Sequence, residues 1–310
     1  MSTTHSETET QTADAGNGWF VDSRCINCNI ARHTAPGLIG LGEMGEYGPR
    51  SVVLRQPETE AEVAKMYLAA HACPTRSVHP PADEWDADSD PYPKALDENV
   101  YLCGHTSLKN FGGTSYVLRR PDGTAMMIDT PRWRPALARR YEQRLGKITD
   151  VLLTHLDHVA HGRQYADHYG ARLWIHEGDL HSRPDADSVI RGLDPVEIGP
   201  GVIAHPFPGH SPGSVLYIAD DKYCFSGDAF YWSHTANDLD VFESVVFDSI
   251  ETWAASVARA AEELRFEWVL PGHGDLRHLP ADEIRERMRA LGQRAATYPA
   301  MEVDYGKVRW

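Results

Sequence analysis

Short apolar runs bounded by polar turns recur along most of the chain, and helical repeats separate them. Residues 115–118, 125–128, 151–154, 173–176, 215–218, 223–226 and 268–271 each read as a strand, since β-branched, aromatic or other apolar residues fill them and Gly, Pro, Asp or Asn flank them. Stretches 134–145, 162–169 and 250–265 carry apolar residues at helical spacing. Strands alternating with helices predict sheets covered by helices, an α/β layered domain.

A smaller unit precedes it. Residues 19–21 and 51–54 read as strands, 25–33 as a turn-rich loop, and 58–72 as a helix opened by Pro57 and Thr59. About sixty residues bury little core alone, so this unit needs a cofactor or a neighbour to dock on. Residues 1–17 are polar and aperiodic, the composition of a solvated tail. A Pro- and Asp-rich stretch, 81–98, reads as a linker. The expected organisation is therefore a tail (1–17), a small domain (18–80), a linker (81–98) and a large α/β domain (99–310).

Composition narrows the class. With 310 residues, 42% hydrophobic and 24% charged, the chain can bury a sizeable core. Its net charge of −15 disfavours nucleic acid and anionic membranes as partners and leaves a small-molecule substrate as the expectation. No run of about 18 apolar residues and no signal-peptide pattern occurs, so the expected location is the cytoplasm. Five cysteines are too few and too odd in number for a disulfide framework.

Sixteen histidines are plentiful, and their grouping is informative. Four segments share one design, an apolar strand followed at once by metal-type ligands: VLLTHLDHVAH (His155, Asp157, His158, His161), PFPGHSPGS (His210), CFSGD (Asp228) and VLPGHGD (His273). Neutral imidazole and carboxylate suit Zn, Fe or Mn, and several converging with an open coordination position make a catalytic site. The order of these motifs resembles the metallo-β-lactamase superfamily across about residues 100–275. That resemblance implies an αββα sandwich with metal at one edge between its sheets, His210, Asp228 and His273 as ligands, and Asp228 bridging if two metals bind.

The first motif departs from the family's His-x-His-x-Asp-His. Either two residues are deleted, so that Asp157-His158 is the family's Asp-His pair, or Asp157 stands where the family has its second His. Both readings keep His155 and Asp157; His158 is a further candidate ligand, and His161 is either a ligand or a supporting residue. Asp157 and Asp228 are the candidate catalytic carboxylates. Tyr231, Trp232 and His234 follow Asp228 directly and are candidates for contacting substrate.

Cys25-x-x-Cys28 with a distant Cys73-Pro74 is similar to the bacterial ferredoxin pattern for a [4Fe–4S] cluster. The chain from about 19 to 290 also resembles bacterial, cyanobacterial and plant proteins that join a ferredoxin-like domain to a metallo-β-lactamase-like one. Position 31, a Cys in that pattern, is Ala here. The unit is thus either a three-Cys cluster site completed by an outside group such as His33 or water, or a packing module without a cluster.

The leading expectation is a hydrolase in which one or two divalent ions, Zn or Fe, supply a bound hydroxide that attacks a small ester or thioester. An iron-dependent oxidoreductase or oxygenase fed through the cysteine unit, with a redox partner, is the alternative. A non-catalytic metal-binding or interaction protein is the third.

Overall fold

The computed structural model describes residues 18–81, 90–242, 245–295 and 297–298. The stretch 1–17 and part of the expected linker, 82–89, lie outside them. Among the described residues the α-helices are α1 (Ile30–Thr34), α2 (Glu60–Ala72), α3 (Pro135–Leu145), α4 (Gly162–Tyr169), α5 (Ile250–Glu263) and α6 (Ala281–Ala295). None is long and apolar enough to cross a membrane.

Two sheets face each other in the larger unit. One has seven strands in the order Ser188–Ile190, Arg172–His176, Lys147–Leu152, Thr124–Ile128, Tyr116–Arg119, Val100–Leu102 and Lys94–Ala95. The other has six: Val196–Gly199, Val202–Pro206, Val215–Ala219, Tyr223–Gly227, Trp268–Pro271 and Arg277–His278. Val215–Ala219 and Tyr223–Gly227 are buried at every position, as strands covered on both faces must be. Their inner faces, with Leu118, Ile128 and Leu152 from the facing sheet, form the central layer through Tyr217 and Phe225. α5 and α6 cover the six-stranded sheet with Trp253, Val257, Ile284 and Met288, and α3 and α4 cover the other with Leu137, Tyr141 and Tyr165. The architecture is an αββα sandwich.

The small unit is α+β. α1 packs on α2, Phe20–Val21 pairs with Val78–His79, and Ile39–Gly45 forms a hairpin with Gly48–Val53. The first hairpin strand escapes the sequence pattern because glycine occupies alternate positions of IGLGEMG. Those glycines are a packing requirement: a Cβ on Gly42 would lie 2.3 Å from Val52 Cγ1 across the hairpin. The cysteine loop also contains more helix than expected, α1.

One expectation changes. Residues 90–98 are not free linker: Tyr92 is buried and Lys94–Ala95 is the edge strand of the seven-stranded sheet. Its Pro- and Asp-rich composition hides a strand only two residues long. Helix α6 is rich in charge, yet Ile284, Met288, Leu291 and Ala295 form a buried stripe against α5.

Tyr92 joins the units. It belongs to the central core with Ile30, Leu68 and Ala72 of the small unit, and its hydroxyl donates to the Leu68 carbonyl at 3.1 Å. Tyr92→Ala should cost about 3–5 kcal/mol and Tyr92→Phe about 1 kcal/mol, measured by chemical denaturation monitored through both units.

Candidate metal centre

The candidate ligands converge from the carboxyl ends of strands in both sheets. His155, Asp157 and His158 follow Lys147–Leu152, Asp228 follows Tyr223–Gly227, His273 follows Trp268–Pro271, and His210 sits in the loop before Val215–Ala219. Rigid strands aim these short loops at one point.

Two groups of three donor atoms result, each mutually within 4.8 Å: His155, Asp157 and His210, and His155, His158 and Asp228. Asp157 Oδ2 lies 3.6 Å from His210 Nε2 and 4.0 Å from His155 Nε2. Asp228 Oδ2 lies 3.4 Å from His155 Nε2 and 3.8 Å from His158 Nε2. His273 Nδ1 is 3.0 Å from both Asp228 oxygens. Asp157 therefore groups with His155 and His210, and His158 with Asp228.

The donor chemistry fits a divalent ion. His155 Nε2, His158 Nε2 and both ring nitrogens of His210 are buried without a hydrogen-bond partner, an arrangement that costs free energy unless a cation takes it up. Glycines keep the space open: a Cβ on Gly113 would lie 2.2 Å from His158 Nε2, and one on Gly272 would lie 2.6 Å from Asp228 Oδ1. Burial opposes charge on Asp228, yet His273, His158 and His155 hold its carboxyl well below the usual range. Burial likewise opposes a charged His158, but Asp228 and Asp129 outweigh it and push the ring up to about 9.

Asp129 and Asp179 escaped the sequence reading. Asp129, at φ +52°, accepts hydrogen bonds from Thr154 N (2.9 Å) and Thr154 Oγ1 (2.8 Å), and its Oδ2 lies 2.9 Å from His158 Nδ1. It fixes the ring that offers Nε2, as carboxylates behind metal-binding histidines do. Its signal was present, since AMMID is another apolar strand ending in a carboxylate. Asp179 accepts from Leu156 N, Ser211 Oγ and Gly213 N, clamping the His155 and His210 loops together. No local pattern marks it.

Other candidates fall elsewhere. His161 Nε2 meets Ser107 Oγ at 2.8 Å and its Nδ1 meets Gln164 Oε1 at 3.1 Å, so both nitrogens are engaged away from the donor groups. Tyr231, Trp232 and His234 do not line the cavity. Tyr231 stacks on Phe242, Trp232 is buried beneath Arg277 and Arg287, and His234 points to solvent near Asp275. The strand Tyr231–Ser233 pairs with Asp238–Asp240 and turns these side chains away.

A cavity of about 310 Å³ opens over the donors, with Asp157, His210, Asp228 and His273 at its floor. Its walls are apolar: Leu108, Phe111, Val245 and Phe247 from the large unit, Ile26, Cys28 and Tyr47 from the small one. The small unit thus forms one side of the site.

Residues 108–273 match the metallo-beta-lactamase superfamily. The chain belongs to that superfamily. Residues 21–80 match the 4Fe-4S single cluster domain of ferredoxin I. Two curated relatives carry the name hydroxyacylglutathione hydrolase. One, from Anaeromyxobacter dehalogenans, is 36% identical over 27% of this chain and spans about a third of its own length (32%). The other, from Acidiphilium cryptum, is 25% identical over 59% of this chain and 78% of its own. Among solved structures, the DIM-1 metallo-beta-lactamase superposes with a TM-score of 0.51 at 20% identity, covering 65% of this chain and 96% of that one, which speaks for the fold.

The cysteine unit offers three sulfurs. Cys25 accepts from Ser51 N and Cys73 from Ser77 N, each at 3.3 Å. Arg32 is buried against neutral oxygens, Asn27 Oδ1, Asn29 Oδ1 and Ser51 Oγ, and burial pulls its pKa down against the opposing influence of the nearby cysteines and Asp275. Burial, with Cys73 and Cys25 nearby, pushes the Cys28 thiol up to about 12. Sulfur donors, amide donors and a buried cation suit three corners of an anionic iron–sulfur cluster. Ala31 supplies no fourth sulfur, and His33, a candidate outside ligand, has its Nδ1 3.4 Å from Asp275.

His155→Ala and His210→Ala should each lower bound divalent metal to half or less of the parent's content, while His161→Ala leaves it unchanged. Asp129→Asn should weaken metal affinity about 10–100-fold. Elemental analysis after dialysis against graded chelator checks all four.

Proposed function

We propose that the chain is a metal-dependent hydrolase of a small ester or thioester with an apolar group beside the scissile carbonyl. The observation that carries this is the convergence of unpartnered His155, His158 and His210 nitrogens with Asp157 and Asp228 beneath an apolar-walled cavity. The relatives named hydroxyacylglutathione hydrolase support an acyl substrate.

His155, Asp157, His158, His210, Asp228 and His273 would hold one or two divalent ions. Such an ion lowers the pKa of bound water to about 7 and polarises the substrate carbonyl. The chain's own residues do the rest. Asp228 stays ionised at neutral pH because three imidazoles surround it, so it can accept a hydrogen bond from a water molecule and hold it in line. Asp157, largely buried at the cavity floor, is placed to do the same on the His210 side. Phe111, Phe247 and Leu108 present exposed apolar surface in the cavity wall that takes up the apolar part of the substrate.

A second reading has a specific observation behind it: Cys28 lines the same cavity as the candidate ligands, next to Gly112, where a Cβ would lie 2.9 Å from its sulfur. Electrons carried by the cysteine unit would arrive beside the metal centre, and an iron-dependent oxidoreductase would use them. Iron with acid-labile sulfide in protein purified without oxygen favours this reading.

A panel of aryl esters and S-acyl thiols, assayed with the metal-loaded full chain, tests the hydrolase. Turnover should vanish with chelator and return with metal. Asp228→Ala should lower kcat at least 100-fold, and Phe247→Ala should raise KM for substrates with large acyl groups while kcat changes little. Fully metallated protein that hydrolyses no member of the panel would defeat the proposal.

A further inference from the structure

A second cavity, of about 510 Å³, lies between the two units away from the candidate metal centre. Arg24 and Arg76 line it from the small unit, and Arg132, Arg134 and Arg140 from the large one; Asp90 is the carboxylate among its lining residues. Five guanidiniums around one carboxylate run against a chain whose net charge is −15. Asp90 is already engaged by Arg140 and by His105 Nε2 at 2.9 Å. Arg24 pairs with Asp22. No carboxylate among the described residues stands within ion-pair distance of Arg76, Arg132 or Arg134.

Arg132 is the most telling of these. It donates through Nη2 to the carbonyls of Cys73 (2.9 Å) and Thr106 (3.2 Å), and its buried Nε has no partner. Burial disfavours its charge, and so does Arg76 beside it. The first turn of α3 opens on the same cavity through Ala136 and Leu137, and its N-cap, Arg134, supplies no side-chain acceptor. The helix end adds partial positive charge to the guanidiniums.

We infer that this cavity binds a small oligo-anion, a molecule bearing two or more phosphate or carboxylate groups that bridges the two units. Guanidiniums recognise both groups through paired N–H donors, and clustered arginines with no carboxylate partner are stabilised when such an anion arrives. The volume suits a metabolite-sized ligand, and the overall negative charge opposes a polyanionic macromolecule. A cation is the wrong occupant. His71, Asp90 and His105 offer donor atoms within 4.8 Å of one another, but the five arginines would repel a metal there.

Titration calorimetry at low salt, on the metal-loaded full chain, would use pyrophosphate, ADP and tricarballylate, with orthophosphate and chloride for comparison. At least one oligo-anion should bind in the micromolar range, at least tenfold tighter than orthophosphate, and more weakly as salt rises. Pyrophosphate against tricarballylate separates phosphate from carboxylate recognition. Arg76→Glu and Arg134→Glu change exposed side chains and should each weaken binding at least tenfold. His210→Ala must bind as the parent does, which distinguishes this cavity from chelation at the metal centre. The inference is overturned if no oligo-anion binds below about 1 mM, if the Arg76→Glu, Arg134→Glu double variant binds like the parent, or if His210→Ala abolishes binding.

Discussion

Asp228 is a carboxylate enclosed by imidazoles, and the rest of the structure is arranged around that constraint. Burying it uncompensated would cost several kcal/mol. His155, His158 and His273 offset the cost, but each ring must itself be aimed and anchored. Thr154 Oγ1 meets His155 Nδ1 at 2.9 Å, Asp129 meets His158, and the Phe111 carbonyl meets His273 Nε2 at 3.0 Å. These anchors come from strand ends and a loop of the seven-stranded sheet, whereas Asp228 and His273 themselves follow strands of the six-stranded one. The site therefore exists only when the sandwich is closed, and its geometry is as rigid as the sheets beneath it.

The same closure makes the small unit part of the catalytic architecture. Its Cys25–Cys28 loop and the Tyr47 hairpin tip form a wall of the cavity, held by the Asn27 side-chain amide donating to the Tyr47 carbonyl at 3.1 Å. Asn29 reaches across to Asp275, just beyond His273. The small core of this unit, around Trp19, Leu38, Ile39 and Met66, is extended by Ile30, Leu68 and Ala72, which it shares with the sandwich. Cys28 lies in the wall of the same cavity as Asp157, His210, Asp228 and His273.

Legibility followed the range of the forces involved. Strands at 215–218, 223–226 and 268–271 were readable because uninterrupted apolar residues report burial on both faces. Strands such as Ile39–Gly45 and Lys94–Ala95 were not, since glycine, proline and charge dominate them and only their partners across the sheet make them strands. The ligand motifs were readable for a similar reason: a strand followed by His or Asp is a local pattern. Asp179, whose purpose is to tie Leu156, Ser211 and Gly213 together, has no such pattern.

Tyr231, Trp232 and His234 show the limit from the other side. Adjacency to Asp228 suggested a place at the mouth of the site, but a hairpin pairing of Tyr231–Ser233 rotates them out, and Phe111 and Phe247, distant in sequence, occupy the walls instead. The sequence by itself determined the layered α/β class, the order of the ligand motifs and the residue types available for chemistry, because periodicity and strand-end composition are local. Tertiary structure alone decided that Asp157 groups with His210, that His161 turns to Ser107 and Gln164, and that five arginines share a cavity. Those outcomes depend on which strand ends and loops meet in space, and packing between sheets, not spacing along the chain, sets that.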